Sequence, residues 1–65
     1  MIVYDNLWTV MEKERVSQYR LKLEGISNSS LMRLRRNEAV STETINKLCR
    51  ILHCDVPDIM KYLED

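Results

Sequence analysis

The chain has 65 residues with ten basic and ten acidic side chains, so its formal net charge at pH 7 is zero. A chain of this length holds one small core, and we expect a single domain over residues 1–65. Its 45% hydrophobic and 31% charged residues are typical of a folded, soluble protein and exclude a disordered one. It has one glycine and one proline, too few turn residues for a β-rich fold. The composition therefore predicts a compact all-α fold.

The sequence indicates a reduced, cytoplasmic setting. No apolar run approaches the roughly 18 residues that a membrane span needs, and the opening residues MIVYDN lack the regions of a signal peptide. The two cysteines, Cys49 and Cys54, are too few for a disulfide scaffold. We expect no membrane association.

Two helices are predicted in the first 25 residues. An apolar stripe marks the first, formed by Tyr4, Leu7, Val10 and Met11. The segment 1–4 either begins this helix or forms an edge strand. Ser17 is a plausible N-cap for a second helix, Gln18 to Glu24, which ends at Gly25 because glycine adopts positive φ without a Cβ penalty.

Three more helices are predicted after Gly25. Ser27 caps the third, Asn28 to about Asn37, and Ser41 or Thr42 caps the fourth. The fourth has helical apolar spacing at Ile45, Leu48, Cys49 and Leu52. Asp55 is expected to cap a fifth helix with Pro57 in its first turn. The same spacing recurs there at Val56, Ile59, Met60 and Leu63.

Charge is segregated along the chain. Residues 13–36 hold seven basic and two acidic side chains, and the remainder holds three basic and eight acidic ones. The basic stretch coincides with the second and third helices, whose short connection from Gly25 to Asn28 predicts a steep crossing, as in a helix-turn-helix. This coincidence indicates a basic face on a helix pair.

The outward face of the third helix lies opposite its buried residues, Leu31 and Leu34. That face holds Ser29, Met32, Arg33 and Arg36, with Asn28 near the N-terminus. Arginine can grip guanine O6 and N7, and asparagine can do the same for adenine N6 and N7. Arg35 flanks the core side, and we expect it to reach a phosphate or an acid of the fourth helix.

The residues now described resemble the phage repressor/Cro-type helix-turn-helix family, and especially its small stand-alone members. The resemblance covers nearly the whole chain, through YDNLW, VSQYRL and the stretch from GISNSS onwards. It implies a lambda-repressor-like DNA-binding domain of four or five helices, of which we expect five here, with helices two and three forming the motif. It also implies a sequence-specific transcriptional regulator, most simply a repressor, that binds pseudo-palindromic double-stranded DNA as a homodimer.

The same resemblance assigns roles to individual residues. It implies that Ser27, Asn28, Ser29 and Arg33 approach base edges and that Gln18 holds a phosphate. The chain departs from the family pattern because only four residue steps separate Leu21 from Gly25, where five are common. Placing Arg20 in the core instead would be costly, so we expect a shortened second helix.

Other functions are weakly supported. The chain has one histidine, no phosphate-cradling loop and no nucleophile–base pair, so we expect no enzyme activity, cofactor or small-molecule ligand. Cys49, His53 and Cys54 lie close together, but Cys49 on the apolar stripe and Cys54 just before the Asp55 cap are better explained as small buried hydrophobes than as zinc ligands. The alternative that remains is a protein-interaction module, an adaptor or antitoxin-like partner, whose basic face docks an acidic protein.

Overall fold

The computed structural model describes residues 1–65 and contains four α-helices, one 3₁₀ turn and a two-stranded ribbon. The helices are α1 (Asp5–Glu14), α2 (Gln18–Leu23), α3 (Asn28–Arg35) and α4 (Thr42–Leu52). The strands are β1 (Ile2–Val3) and β2 (Lys61–Tyr62), and the 3₁₀ turn spans Val56–Asp58. None of the helices has both the length and the apolar character needed to cross a bilayer.

Three serines begin three of the helices. The Oγ atoms of Ser17, Ser27 and Ser41 accept hydrogen bonds from the backbone N–H three residues later, at 3.1, 3.1 and 3.2 Å. Each such cap stabilises its helix by about 1 kcal/mol. Ser41, rather than Thr42, is therefore the N-cap of α4.

The turn between α2 and α3 depends on Gly25. Its φ of +103° lies in the left-handed region, where a residue with a Cβ is strained. The helix before this turn ends at Leu23, one residue earlier than predicted. Arg20 is exposed and Leu21 is fully buried, which agrees with the shortened helix rather than with an arginine in the core.

The core lies between all four helices and the 3₁₀ turn. Every buried residue is hydrophobic, and no buried side-chain polar atom lacks a hydrogen bond. The side chains buried most completely are Leu7, Leu21, Leu31, Leu34, Leu48, Leu52 and Ile59. Two of these belong to α3, so the orientation of α3 is fixed by the same packing that stabilises the domain.

The prediction of a fifth helix is wrong. Asp55 does act as a cap, because its Oδ1 accepts the Val56 N–H at 2.7 Å while its own N–H donates to Asp58 Oδ2 at 3.0 Å, but it starts only the 3₁₀ turn. Of the predicted stripe, Ile59 is fully buried, whereas Val56 and Leu63 are 44% and 40% exposed. A terminal helix this short is only marginally stable, and pairing as a strand is a more favourable way to hydrogen-bond the backbone of this segment.

That strand pairing connects the two ends of the chain. In the antiparallel ribbon Ile2 lies opposite Tyr62 and Val3 lies opposite Lys61. Of the two possibilities for residues 1–4, the strand is therefore confirmed. Beside the ribbon, Tyr4 donates its backbone N–H to Asn37 Oδ1 at 3.0 Å and its hydroxyl to the carbonyl of Glu38 at 2.9 Å.

Candidate nucleic-acid interface

The helix pair α2–α3 forms one side of the molecule. After α2, the Ile26 N–H donates to the Leu21 carbonyl at 2.9 Å, which closes the turn, and both side chains are buried. On α3, Leu31 and Leu34 are fully buried. These contacts fix which side of α3 faces solvent.

The solvent side of α3 carries the residues predicted from the sequence. Those exposed are Ser27, Asn28, Ser29, Met32, Arg33 and Arg36. Met32 is 43% exposed although its side chain is apolar. The structure thus brings these six side chains to one continuous surface along the helix. Gln18, at the start of α2, is half-buried beside them.

No acidic side chain neutralises this surface. The structure contains two ion pairs, one between the Met1 ammonium and Asp65 and one between Lys47 and Glu43. Arg33 and Arg36 take part in neither. An exposed, unpaired guanidinium is available to a polyanion without first breaking an internal contact.

The hydroxyl groups at the start of α3 differ in availability. Ser27 Oγ accepts the Ser30 N–H at 3.1 Å and donates to Ser30 Oγ at 3.0 Å. Ser29 Oγ lies 3.4 Å from Ser27 Oγ. The Asn28 side chain makes no hydrogen bond within the protein, so its amide is free to bind a ligand.

Arg35 connects the two helices in a way that the sequence did not reveal. Its Nη2 atom donates a hydrogen bond to Gln18 Oε1. Of the two partners expected for Arg35, the acid of α4 is wrong, because Glu43 pairs with Lys47 and Arg35 makes no ion pair, while a phosphate contact stays a prediction. The position of Arg35 at the edge of the buried face was the only sequence signal for this contact.

Sequence reasoning also passed over Tyr19, which follows Gln18 on α2 and is 68% exposed. It is a large exposed aromatic side chain on the same helix as Gln18. The only sequence signal for the exposure of Tyr19 was its spacing from Leu21, since residues two apart on a helix point to different sides.

The two cysteines lie away from this surface. Both thiols are free and half-buried, and the backbone N–H of Cys54 donates to the Cys49 carbonyl at 3.1 Å. Burial, with the nearby Cys49 and Asp58, raises the pKa of Cys54 from 9.0 to about 11. No group of three or more His, Cys, Asp or Glu side chains is arranged to hold a metal ion.

Comparison with known proteins identifies the helix pair. Residues 6–65 match the family model of the Cro/C1-type HTH DNA-binding domain. The chain belongs to this family. Its α2–α3 pair is therefore the helix-turn-helix of a DNA-binding domain, and the family is one of transcriptional regulators rather than enzymes.

A solved structure gives the same picture for this Cro/C1-type domain. The crystal structure of the transcriptional regulator VanUg, Form II, is similar with a TM-score of 0.89 and 29% sequence identity. The match covers 98% of this chain and 87% of that one. No curated protein matches the chain significantly.

Proposed function

We propose that this domain is a sequence-specific transcriptional repressor that binds a pseudo-palindromic site as a homodimer, with α3 in the major groove. The observation that carries the proposal is the outward face of α3, where Arg33 and Arg36 are exposed and meet no acidic side chain. Arginine on an exposed recognition helix provides both base readout and phosphate attraction.

Each residue of this face receives a role from its chemistry. Asn28, Ser29 and Arg33 lie toward base edges, and Met32 provides an apolar contact for a thymine methyl group. Arg36, at the end of α3, binds a base or a phosphate. Ser27 acts first as the cap of α3 and second as a neighbour of the DNA backbone.

Gln18 is proposed as a phosphate contact. Its Oε1 atom already accepts a hydrogen bond from Arg35. This leaves the amide Nε2 group, which can only donate, as the free end of the side chain. A donor at the edge of the helix pair is suited to a phosphate oxygen.

The small size of the domain supports a dimer. A single module of this kind buries roughly 600–1,000 Å² against DNA, which limits affinity. Two copies on half-sites about 34 Å apart would read one face of the duplex. Repression then follows from occlusion of the site by the bound dimer.

The test begins with selection of bound sequences from a random duplex pool, followed by titration of the selected site. Arg33→Ala is expected to weaken binding by about 1–3 kcal/mol and to relax the preference at one base position, because a bidentate base contact is lost. Arg50→Ala is the matched control. Arg50 is also exposed but lies on α4 outside the proposed interface.

Two results would contradict the proposal. If the double variant Arg33→Ala/Arg36→Ala binds the selected site as the wild type does, α3 is not the recognition helix. If the protein retains a tight acidic protein partner and no duplex, the basic face serves protein interaction instead. Binding should also fall linearly on a logarithmic salt scale, because phosphate contacts release counterions.

A further inference from the structure

The terminal ribbon has a free edge whose backbone groups are identified by its hydrogen bonds. Met1 and Leu63 exchange both bonds, since the Leu63 N–H donates to the Met1 carbonyl at 2.8 Å and the Met1 ammonium donates to the Leu63 carbonyl at 2.6 Å. Bonded and non-bonded pairs alternate along an antiparallel ladder. Ile2 and Tyr62 therefore form a non-bonded pair, and the N–H and C=O of Tyr62 point away from β1.

The side chains around this edge are apolar and exposed. Tyr62 is 64% exposed, Leu63 is 40% exposed and Ile2 is 38% exposed. An unpaired strand edge with apolar neighbours is a template for another strand, and proteins that avoid such pairing place charges or proline there. Of the two residues of β2, Lys61 carries such a charge and Tyr62 does not.

We propose that a second copy of this chain pairs with β2, antiparallel and about a two-fold axis at Tyr62. The two ribbons then form one four-stranded sheet in the order β1-β2-β2-β1. This inference rests on the homodimer of the proposed function and assigns its interface. A two-fold axis requires a self-complementary surface, and an antiparallel strand paired with its own copy satisfies this condition.

The sequence of β2 is compatible with pairing to itself in this register. Tyr62 lies opposite the partner's Tyr62, and the two residues exchange N–H to carbonyl bonds. Lys61 lies opposite the partner's Leu63, so no like charges are directly opposed across the pair. Its two diagonal neighbours on the same face are the partner's Asp65, which attracts it, and the partner's Lys61, which repels it.

The ribbon also lies beside the end of α3. Tyr4, next to β1, is hydrogen-bonded to Asn37 and Glu38, the residues that leave α3. These bonds are made by the residue that follows β1, whereas the proposed axis lies at the free edge of β2.

Disulfide trapping tests the register. Tyr62→Cys places two thiols opposite each other at a Cα separation of about 5.5 Å, which a disulfide spans. Ile2→Cys is the matched control on the same ribbon. It lies three strand spacings from its own copy, roughly 14 Å, and out of disulfide reach. Mild oxidation is expected to give a covalent dimer for Tyr62→Cys and none for Ile2→Cys or the wild type.

Sedimentation without DNA tests the interface itself. Tyr62→Glu places two like charges at the axis and is expected to raise the dimer dissociation constant at least about tenfold. Tyr19→Glu, the control, makes the same change at a tyrosine of similar exposure, 68%, on α2. This variant should leave the dimer dissociation constant unchanged.

The results separate this inference from the proposed function. A dimer that persists in Tyr62→Glu, or that crosslinks through Ile2→Cys instead of Tyr62→Cys, overturns the β2 interface while leaving α3 as the DNA-binding helix. A wild-type chain that sediments as a monomer both alone and on its selected duplex overturns the interface and the homodimer together. Loss of DNA binding with an intact dimer affects only the proposed function.

Discussion

The α2–α3 surface and the terminal ribbon expose opposite kinds of chemistry. The first presents arginines and small polar groups, while its leucines are fully buried. The second exposes Ile2, Tyr62 and Leu63 beside one charged strand residue, Lys61, and has the Met1–Asp65 ion pair at its end. A zero net charge thus conceals a face suited to a polyanion and an edge suited to another protein chain.

The two regions also differ in how they are held. The orientation of α3 is fixed by buried leucines and a serine cap. The ribbon is held by a few backbone bonds and by an exposed ion pair of 2.6 Å between the Met1 ammonium and Asp65. Exposed ion pairs contribute little to stability. The ribbon is therefore the region that opens more easily, and hydrogen exchange should be faster there.

The largest effect of a substitution on stability is expected at the turn that sets the α2–α3 geometry. Gly25→Ala should lower the free energy of unfolding by about 1–2 kcal/mol, because alanine is strained at positive φ. A Cβ at Gly25 would meet only Lys47 Nζ at 3.9 Å, so the cost lies in the backbone and not in a clash. Urea unfolding measures the change.

Glu24→Ala is the control, since Glu24 precedes the glycine with an ordinary φ of −87°. It should change stability by much less. Equal losses in the two variants would show that the turn tolerates a side chain at Gly25 and that the strain argument is wrong.

A smaller effect is expected from the contact between Gln18 and Arg35. Arg35→Ala should weaken DNA binding by about 0.5–1.5 kcal/mol through this contact, because Gln18 loses the hydrogen bond that orients it. The loss should be similar for all duplex sequences, since a phosphate contact carries no base information.

A double-mutant cycle separates orientation from charge. In a Gln18→Ala background the same Arg35→Ala change should cost less, and the difference measures the coupling. If the two losses simply add, Arg35 acts by its charge alone. Dimerisation should be unaffected in all three variants.

An effect confined to alkaline pH is expected near the end of α4. Burial raises the pKa of Cys54 from 9.0 to about 11, so the folded state retains a proton that the unfolded state loses. Stability from this group is complete below about pH 9 and declines as pH rises through 11. The slope of stability against pH in this window should be smaller in Cys54→Ala. Identical slopes in the wild type and in Cys54→Ala would show that the folded protein does not shield the Cys54 thiol from solvent.

The sequence predicts α1 to α4 well because their signals are local. Ser17, Ser27 and Ser41 each precede a helix, and the apolar spacing of α4 needs no distant partner. The outward face of α3 follows from Leu31 and Leu34 alone, so the exposure of Arg33 and Arg36 could be predicted without coordinates.

The sequence-based predictions fail where a segment makes contacts with residues that are distant in the sequence. Val56, Ile59, Met60 and Leu63 have helical spacing, but the segment pairs with residues about sixty positions earlier, a contact that periodicity does not report. The Gln18–Arg35 bond likewise depends on how α2 and α3 cross. The roles of individual α3 residues on DNA remain predictions.

Tyr4 has a consequence beyond its burial. Its amide and its hydroxyl donate hydrogen bonds to the segment that follows α3, while its neighbour Val3 belongs to the ribbon. Separation of the two strands would therefore weaken the hydrogen bonds that hold the segment after α3. By the same coupling, any contact that stabilises the ribbon also limits the motion of α3. The first four residues thus support a surface to which they contribute no side chain.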